Sequence, residues 1–290
     1  MPLICIVTCS ALPELDKDED LLRFELIDRG VEVRPAVWSD PEVDWSLFDA
    51  AIIRCTWDYS ERGDEFVAWA RRAGAATRLL NPAPIVAWNT DKHYLADLAA
   101  AGIPVVPTTF VEPGEAWSFE GLGEFVVKPT VSCGSRDTMR YALPGSGSTP
   151  DAHVRRLLDE GRSVMLQPYL EAVDTVGESA LIFIDGTYSH SIRKGQMLHR
   201  DRSGAKVVGL YVEEQIDPRT ATEAELAVAE RVLDAIPGGR EQILYARVDL
   251  IPDAQGAPTL LELELTEPSL FYRYAPDVVS RLATGLLNRL

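Results

Sequence analysis

The sequence predicts a mixed fold, α/β plus α+β, in which a doubly wound parallel-sheet domain comes before an α+β body. Three observations support this fold class. In the first third of the chain, short apolar runs alternate with amphipathic segments. Further on, pairs of β-rich runs are joined by turn residues. The chain has 290 residues, of which 46% are apolar, so it can bury more than one compact core.

Strands and helices alternate through the N-terminal part of the chain. The predicted elements are strands at residues 3–9, 31–38 and 50–59 and helices at residues 18–28 and 65–73. Gly30 ends the first helix. This alternation favours a parallel sheet with helices on its faces. The Asn-Pro-Ala-Pro cluster at residues 81–84 marks a boundary, so we expect an N-terminal domain over residues 1–84.

The rest of the chain combines helices with antiparallel hairpins. Asp185-Gly186 joins two β-rich runs and is typical of a hairpin turn. A second hairpin is predicted over residues 243–265. The other expected elements are strands at residues 103–111, 125–131 and 164–170, helices at residues 92–101, 151–160, 221–235 and 276–289, and a polar loop at residues 199–206. We expect a smaller unit over residues 85–165 and a larger one over residues 166–290.

Charge and cysteine content exclude several classes of function. The formal charge of −17 repels phosphate backbones and anionic membranes, so we expect no nucleic-acid or membrane partner. The four cysteines form no CxxC motif and no cluster with histidine, which argues against a zinc site or a disulfide framework. The first residues read as a strand rather than a signal peptide, and no apolar run could span a bilayer. We therefore expect a cytoplasmic protein.

Three acidic residues fall on the second predicted hairpin. Glu262 and Glu264 share one face of their strand, and the hairpin can bring Asp249 to that face. Three carboxylates among apolar neighbours repel one another unless a cation neutralises them, and Mg²⁺ prefers such oxygen ligands. The alternative is a solvent-facing strand in which Glu and Leu alternate.

Two lysines accompany these carboxylates. Lys128 ends a strand of the buried type, and Lys92 opens a helix. Together with magnesium they would hold a triphosphate, although each lysine alone also fits a solvated surface position. The loop that contains Ser132, Gly134 and Ser135 can offer backbone N–H groups to phosphate oxygens. Its pattern fits neither GxGxxG nor the P-loop, which argues against a Rossmann dehydrogenase and a P-loop kinase.

A series of motifs resembles the ATP-grasp superfamily in order and spacing. They are FVVKP, a small-residue loop, LQPYL, GES, ARVDL and LLELELTEP, and they cover the chain from Trp88 to Leu270. The resemblance implies an ATP-grasp fold, with ATP and Mg²⁺, expected as two ions, as cofactors. It implies ATP contacts for Lys92, Lys128, Ser132, Gly134, Ser135, Gln167, Tyr169, Leu170 and Glu178, and metal contacts for Asp249, Glu262 and Glu264. Glu264 departs from the family pattern, because many relatives have asparagine there.

The motifs RCTWDY, WNTDKHYLADL, VVKPTVSCGSRDT and YSHSIRKG narrow the resemblance to the ATP-grasp subgroup that contains the cyclo-ligase of D-cycloserine biosynthesis. It implies activation of a small-molecule carboxylate as an acylphosphate, followed by intramolecular closure of O-ureido-D-serine, and it suggests a homodimer. Two alternatives stay open: an intermolecular carboxylate–amine ligase, and a nucleotide-binding protein that has lost catalysis.

Further residues are candidates for catalysis and substrate binding. Arg247 precedes Asp249 by two positions, so it can meet an oxyanion, although a surface ion pair is the simpler reading. Lys194 is the second catalytic candidate. The substrate candidates are Arg54, Thr56, Asp58, Tyr59, Arg193, Glu267 and Ser269. The first four lie at the end of a predicted strand, at the sheet edge where ligands bind, although the aromatic residues there could simply pack a domain interface. The role of Arg136 stays open among substrate, phosphate and water.

Overall fold

The computed structural model describes residues 1–142, 149–195, 207–208, 211–212 and 215–290. The polar loop predicted at residues 199–206 lies outside these ranges. None of the helices in the described ranges is long and apolar enough to cross a membrane.

The N-terminal sheet has four parallel strands in the order β2-β1-β3-β4. The strands are β1 (Leu3–Thr8), β2 (Glu32–Val37), β3 (Ala50–Cys55) and β4 (Arg78–Leu80), and the helices are α1 (Glu19–Asp28) and α2 (Gly63–Ala76). Side chains on one face of the sheet pack with Trp38, Phe66 and Trp69 into an aromatic core. The parallel α/β sheet predicted for this part is therefore present.

A second sheet is antiparallel and has the order β5-β8-β6-β7. Its strands are β5 (Thr109–Val111), β6 (Glu124–Pro129), β7 (Met139–Ala142) and β8 (Val164–Pro168), and the helices of this region are α3 (Ala83–Asn89), α4 (Tyr94–Ala100) and α5 (Pro150–Asp159). The boundary predicted at residue 165 falls inside β8, which pairs with β5 and β6. The second sheet therefore reaches Pro168.

The third sheet carries both predicted hairpins in the order β13-β10-β9-β14-β15. Its strands are β9 (Glu178–Ile184), β10 (Thr187–Lys194), β13 (Ile216–Arg219), β14 (Tyr245–Pro252) and β15 (Pro258–Glu264), and a separate pair is formed by β11 (Val207–Val208) and β12 (Tyr211–Val212). The helices here are α6 (Ala172–Thr175), α7 (Glu223–Asp234) and α8 (Val278–Leu287). Helix α8 contacts α1 and β9, which joins the first and third sheets in one core.

Proline accounts for two differences from the predicted elements. The strand predicted over residues 103–111 is reduced to β5, because Pro104 and Pro107 cannot donate to a ladder. The Asn-Pro-Ala-Pro cluster does not simply break the chain. Pro82 is the N-cap residue of α3, and Pro84 lies in its first turn, where a missing N–H costs nothing.

Candidate active site

A cleft of about 890 Å³ lies where the three sheets meet. Most of the predicted site residues line it: Tyr59, Lys92, Lys128, Ser132, Gly134, Ser135, Gln167, Tyr169, Leu170, Glu178, Lys194, Arg247, Glu262, Glu264, Glu267 and Ser269. Residues that are far apart in the sequence therefore face one volume, which is large enough for a nucleotide and a small substrate.

The pairing of β14 with β15 sets the positions of three acidic residues, Asp249, Glu262 and Glu264, which we call the acidic wall of the cleft. In the β14–β15 pair, Asp249 lies opposite Glu262 and Arg247 lies opposite Glu264. Because side chains alternate along a strand, these four polar groups share one face. The alternate residues Val248 and Leu263 are buried in the apolar core on the other face. Asp249 differs from Glu262 and Glu264 because it does not line the cleft. Its side chain is only 1% exposed and lies behind theirs.

Lysine and arginine side chains form ion pairs with the acidic wall. Lys194 Nζ lies 2.6 Å from Asp249 Oδ2 and 3.2 Å from Glu178 Oε2. Arg247 pairs with Asp249 at 2.9 Å and also contacts Glu264. These contacts mean that both Asp249 oxygens are already bound by protein cations.

The two predicted phosphate lysines differ in their surroundings. Lys92 Nζ lies 3.1 Å from Glu262 Oε1 and donates to the Ser132 carbonyl at 2.6 Å. Lys128 is 9% exposed and forms no hydrogen bond or ion pair with the described residues. Burial, together with the Lys92 charge, lowers the pKa of Lys128 against the pull of Glu262. Burial of an ammonium group that makes no ion pair is unfavourable, so an anionic ligand would stabilise the Lys128 ammonium.

Electrostatics divides the carboxylates into two groups. Burial opposes ionisation of Asp249 and Glu262, but the adjoining cations outweigh it and lower the pKa of both. Burial raises the pKa of Glu264 to about 8, and the charges of Glu262 and Asp249 add to the effect of burial, whereas Arg247 opposes it. Burial also raises the pKa of Glu267 to about 7, against a hydrogen bond from Tyr59.

The carboxylates of the acidic wall are of the chemical type that binds Mg²⁺, but their arrangement does not form a complete metal site. Glu262 and Glu264 offer the hard oxygen ligands that Mg²⁺ prefers. Within the part of the chain that the structure describes, however, no three acidic, histidine or cysteine side chains are grouped to hold a metal. Magnesium commonly binds through one or two carboxylates and completes its shell with phosphate oxygens and water. The residues therefore fit an ion that arrives with a nucleotide.

The predicted adenine wall is held by a polar network. Gln167 Nε2 donates to Thr108 Oγ1 at 2.9 Å, so its side chain is turned toward the protein. The Tyr169 hydroxyl donates to Asp174, and the Arg140 guanidinium lies 3.4 Å from the centroid of the Tyr169 ring. Arg140 also pairs with Glu124 at 2.7 Å. Arg140 was not among the predicted site residues, because the network joins segments that are distant in the sequence.

The glycine loop contacts the N-terminal part of the protein. Gly134 and Ser135 both adopt positive φ, 56° and 57°, and a left-handed conformation of this kind is easily accessible to glycine. Next to them, the Cys133 thiol donates to the Trp57 carbonyl at 2.9 Å. Arg136 lies 2.5 Å from Glu61 in an exposed ion pair, so in this structure it faces the protein surface.

Three of the predicted substrate residues lie at one end of the cleft. Tyr59 is hydrogen-bonded to Glu267, and both line the cleft. Ser269 also lines it, and its carbonyl accepts a hydrogen bond from Arg247 at 3.5 Å. Tyr59 therefore does more than pack a domain interface. We call this end, formed by Tyr59, Glu267 and Ser269, the substrate end.

Three other substrate candidates are not brought to the cleft. Arg54 is 2% exposed and paired with Glu19, and Thr56 is fully buried. Asp58 accepts a hydrogen bond from Trp38 at 2.7 Å. Strand β3 ends at Cys55, and Asp58 lies in the 3-10 helix that follows it, Trp57–Glu61. The structure therefore does not bring these three side chains to the lining of the cleft.

Arg193 also lies outside the cleft. It neighbours Lys194 on β10, and successive side chains on a strand point to opposite faces. Lys194 faces the cleft, whereas Arg193 donates to the Val176 carbonyl and lies 3.8 Å from Asp217. The structure therefore does not bring the Arg193 side chain to the lining of the cleft.

Two residues that support the acidic wall were missed. Asn89 donates to the Leu263 carbonyl at 2.8 Å and accepts from the Leu265 N–H at 2.7 Å. Tyr94 accepts from the Leu263 N–H at 2.9 Å. Together they satisfy the free edge of β15 much as another strand would. Both residues occur in the motif WNTDKHYLADL, but the motif does not reveal that they bind β15.

Comparisons with known proteins agree with this architecture. Residues 4–81 match the family described as the N-terminal domain of D-cycloserine synthetase DcsG. Over 306 aligned residues, the chain is 41% identical to the cycloserine biosynthesis protein DcsG of Streptomyces lavendulae, covering 100% of this chain and 99% of that protein.

Solved structures point the same way. The crystal structure of D-cycloserine synthetase DcsG is similar with a TM-score of 0.87 and 39% identity, over 99% of both chains. D-alanine–D-alanine ligase from Bacillus anthracis, complexed with ATP, has a TM-score of 0.65 at 14% identity, over 99% of this chain and 97% of that one. This second likeness concerns the fold alone. With the fold of the ATP-grasp ligases, and with identity that runs through its whole length, the chain belongs to the DcsG family of D-cycloserine synthetases.

Proposed function

We propose that this protein closes O-ureido-D-serine into the ring of D-cycloserine in an ATP-dependent reaction. The observation that carries the proposal is the 41% identity to DcsG over the whole chain. The reaction uses ATP and water and releases ADP, phosphate, carbon dioxide and ammonia. The new bond joins the oxyamine nitrogen to the carboxyl carbon of the same molecule.

The proposed nucleotide site uses the open side of the cleft. Lys92, Lys128 and the 132–136 loop would hold the phosphates, the 167–170 segment the adenine, and Glu178 the ribose. The buried Lys128 supports this assignment, since its ammonium forms no hydrogen bond or ion pair with the described residues. When bound, ATP supplies the phosphoryl group that turns the substrate carboxylate into an acylphosphate.

Magnesium would be held by the acidic wall. We assign Glu262 and Glu264 as its contacts, with Asp249 behind them, and we propose two ions. The metal supplies positive charge beside the phosphate oxygens. Glu264 adds a carboxylate where many relatives have asparagine. Without a cation beside it, burial raises its pKa to about 8, and a bound Mg²⁺ ion would favour its carboxylate form.

The remaining residues would position the substrate and stabilise charge. Arg247 would face the oxyanion that forms as the nitrogen attacks, and Asp249 holds its guanidinium at 2.9 Å. Lys194 would neutralise the transferred phosphoryl group. Glu267 and Ser269 would bind the substrate amino group. An ammonium ion beside Glu267 would lower its pKa from about 7, so substrate binding would favour the carboxylate form.

A steady-state assay tests the proposal. ADP release and D-cycloserine formation are measured with ATP, MgCl₂ and O-ureido-D-serine as sole co-substrate. We expect both products at equal rates. A requirement for an added amine would instead identify an intermolecular ligase, and ATP binding without phosphate release would identify a silent nucleotide-binding protein. The homodimer stays a prediction, and sedimentation velocity would test it.

A further inference from the structure

Arg54 lies behind the substrate end and joins it to the N-terminal sheet. Its Nε donates to Glu19 at 3.0 Å, and its Nη2 donates to the Pro268 carbonyl at 2.9 Å. Arg54 belongs to β3 and Glu19 to α1, whereas Pro268 follows β15. One buried side chain therefore ties the N-terminal unit to the segment that carries the substrate residues.

The place where Arg54 binds this segment is significant. Pro268 lies between Glu267 and Ser269, which both line the cleft. Proline has no N–H, so its carbonyl is its only backbone group that can form a hydrogen bond. Its ring also restricts the preceding residue, Glu267, to an extended conformation. Fixing the Pro268 carbonyl therefore limits where both neighbouring side chains can lie.

The network around Arg54 holds its guanidinium from several sides. The Tyr272 hydroxyl donates to the second Glu19 oxygen at 3.1 Å. The Arg54 guanidinium lies 5.3 Å from the ring centroid of Tyr245 and 6.0 Å from that of Tyr272. Tyr245 in turn donates to the Thr266 carbonyl at 2.9 Å. Several contacts with the 266–272 segment therefore depend on this cluster.

Stability alone is a weak explanation for such a cluster. A buried ion pair loses hydration energy that its attraction barely recovers, and apolar side chains of equal volume are often as stable. The planar guanidinium does provide donors in fixed directions, which an apolar replacement lacks. Arg54 uses these directions to bind Glu19 and Pro268 at the same time.

We propose that Arg54 is a positioning residue, which holds the Pro268 carbonyl so that Glu267 and Ser269 are correctly placed for the substrate amino group. This inference rests on the proposed function of the substrate end. It assigns Arg54 no contact with substrate. Its loss should therefore weaken use of the amino-acid substrate and leave ATP binding largely unchanged.

The test replaces the whole polar cluster. Arg54→Ala alone would leave the Glu19 charge buried without its partner and endanger folding. The triple variant Arg54→Met, Glu19→Leu, Tyr272→Phe removes every charged group of the cluster and keeps its volume. Arg29→Met is the matched control, because Arg29 also joins α1 to the C-terminal part, through Ser280 at 2.6 Å, but does not line the cleft.

Two measurements are made on wild type and both variants: steady-state kinetics with each substrate varied, and hydrogen exchange of the 266–271 peptide. For the triple variant we expect the KM for O-ureido-D-serine to rise about tenfold or more, because small misplacements cost at least this much. The KM for ATP should stay within about twofold, and the 266–271 amides should exchange faster. Arg29→Met should match wild type in all three.

The outcomes separate this inference from the proposed function. A folded triple variant with wild-type KM values and exchange would overturn the role of Arg54. An equal rise in both KM values would also overturn it, since that indicates a general structural defect. Wild type that does not turn over O-ureido-D-serine would refute the proposed function instead. In that case unchanged 266–271 exchange in the triple variant would still count against the positioning role, and faster exchange would support it.

Discussion

The two ends of the cleft are built differently. The acidic wall stands on β14 and β15, where ladder pairing sets Asp249 opposite Glu262. The substrate end stands on an irregular segment after β15, held by side chains of the N-terminal part such as Arg54 and Tyr59. The ladder thus fixes the acidic residues proposed for metal binding and Arg247. The groups proposed for substrate recognition depend on long-range contacts.

The two ends also balance charge differently. At the acidic wall, carboxylates and cations neutralise one another, as in the Lys194–Asp249 pair at 2.6 Å. At the substrate end, Glu267 faces the Tyr59 hydroxyl, and burial raises its pKa to about 7. A substrate ammonium ion would complete this end, whereas the acidic wall is already close to neutral without a ligand.

The largest expected effect comes from Lys128, which lines the cleft. Lys128→Met should lower kcat/KM by about 10³-fold, because it removes a preorganised charge from the proposed phosphate site. Burial lowers the pKa of Lys128, so the folded protein disfavours its charged form, and the methionine variant should keep or raise the thermal midpoint. Steady-state kinetics and calorimetry measure the two effects.

Arg71→Met is the control for this experiment, because Arg71 is exposed on α2. It should leave both kinetics and the thermal midpoint unchanged. A Lys128→Met protein with wild-type turnover would refute the phosphate role. A large fall in its midpoint would instead show that the ammonium stabilises the fold.

The next prediction compares two residues of the acidic wall, Glu262 and Asp249, in their importance for magnesium binding. Glu262 lines the cleft, so Glu262→Gln should raise the Mg²⁺ concentration needed for half-maximal turnover by about tenfold. Asp249 lies behind and anchors Arg247 and Lys194, so Asp249→Asn should lower kcat by about 10²-fold with a smaller change in magnesium dependence. Magnesium titrations of both variants measure this difference. Equal shifts in the two titrations would show that Asp249 is a metal ligand of the same rank.

The acidic wall could be predicted from the sequence better than the substrate end, because strand pairing fixes the former and long-range contacts fix the latter. Alternation along a strand is a local rule, so the shared face of Arg247, Asp249 and Glu262 could be predicted, and both hairpins were found. The partners of Arg54 lie 35 and 214 positions away in the sequence, and no local pattern encodes them. Arg193 shows the complementary case: strand alternation turns it away from the face of its neighbour Lys194, so the same local rule predicts that only one of the two lines the cleft.

The fold was predictable to a similar degree. The parallel N-terminal sheet and the long amphipathic helices follow from periodicity within each segment. Short elements were missed, among them β4, β7 and α6, because three or four residues show no periodicity and are fixed by the partners they pair with. The site therefore combines a predictable ladder with supports that only the folded chain brings together.

The next prediction concerns the substrate end. Glu267 should make the free energy of unfolding depend on pH. The pKa of Glu267 is about 7 in the folded protein, above its ordinary value of 4.5, so the folded state binds more protons between these pH values. Wild type should therefore lose stability as pH rises through this window, and Glu267→Gln should lose less, because its side chain cannot ionise. The difference between the two should approach about 3 kcal/mol above pH 7.

Urea unfolding of both proteins at pH 5 and pH 8 measures this difference. Glu230→Gln is the control, because Glu230 is exposed on α7. Its stability should follow that of wild type at both pH values. A wild-type minus Glu267→Gln difference that stays constant between pH 5 and pH 8 would contradict the buried, neutral Glu267.

The smallest effect concerns the support of the acidic wall. Tyr94→Phe removes the acceptor of the Leu263 N–H, which lies on the edge of β15 away from β14. An unpaired buried N–H should cost about 1–3 kcal/mol in urea unfolding. The ladder with β14 still orients Glu262, so kcat should fall by less than about threefold. Tyr274→Phe is the matched control, since the carbonyl it frees, at Ile216, is only partly buried and can be solvated. If Tyr94→Phe instead abolished turnover with little loss of stability, edge contacts rather than the β14–β15 ladder would set the acidic wall, and the contrast between the two ends would disappear.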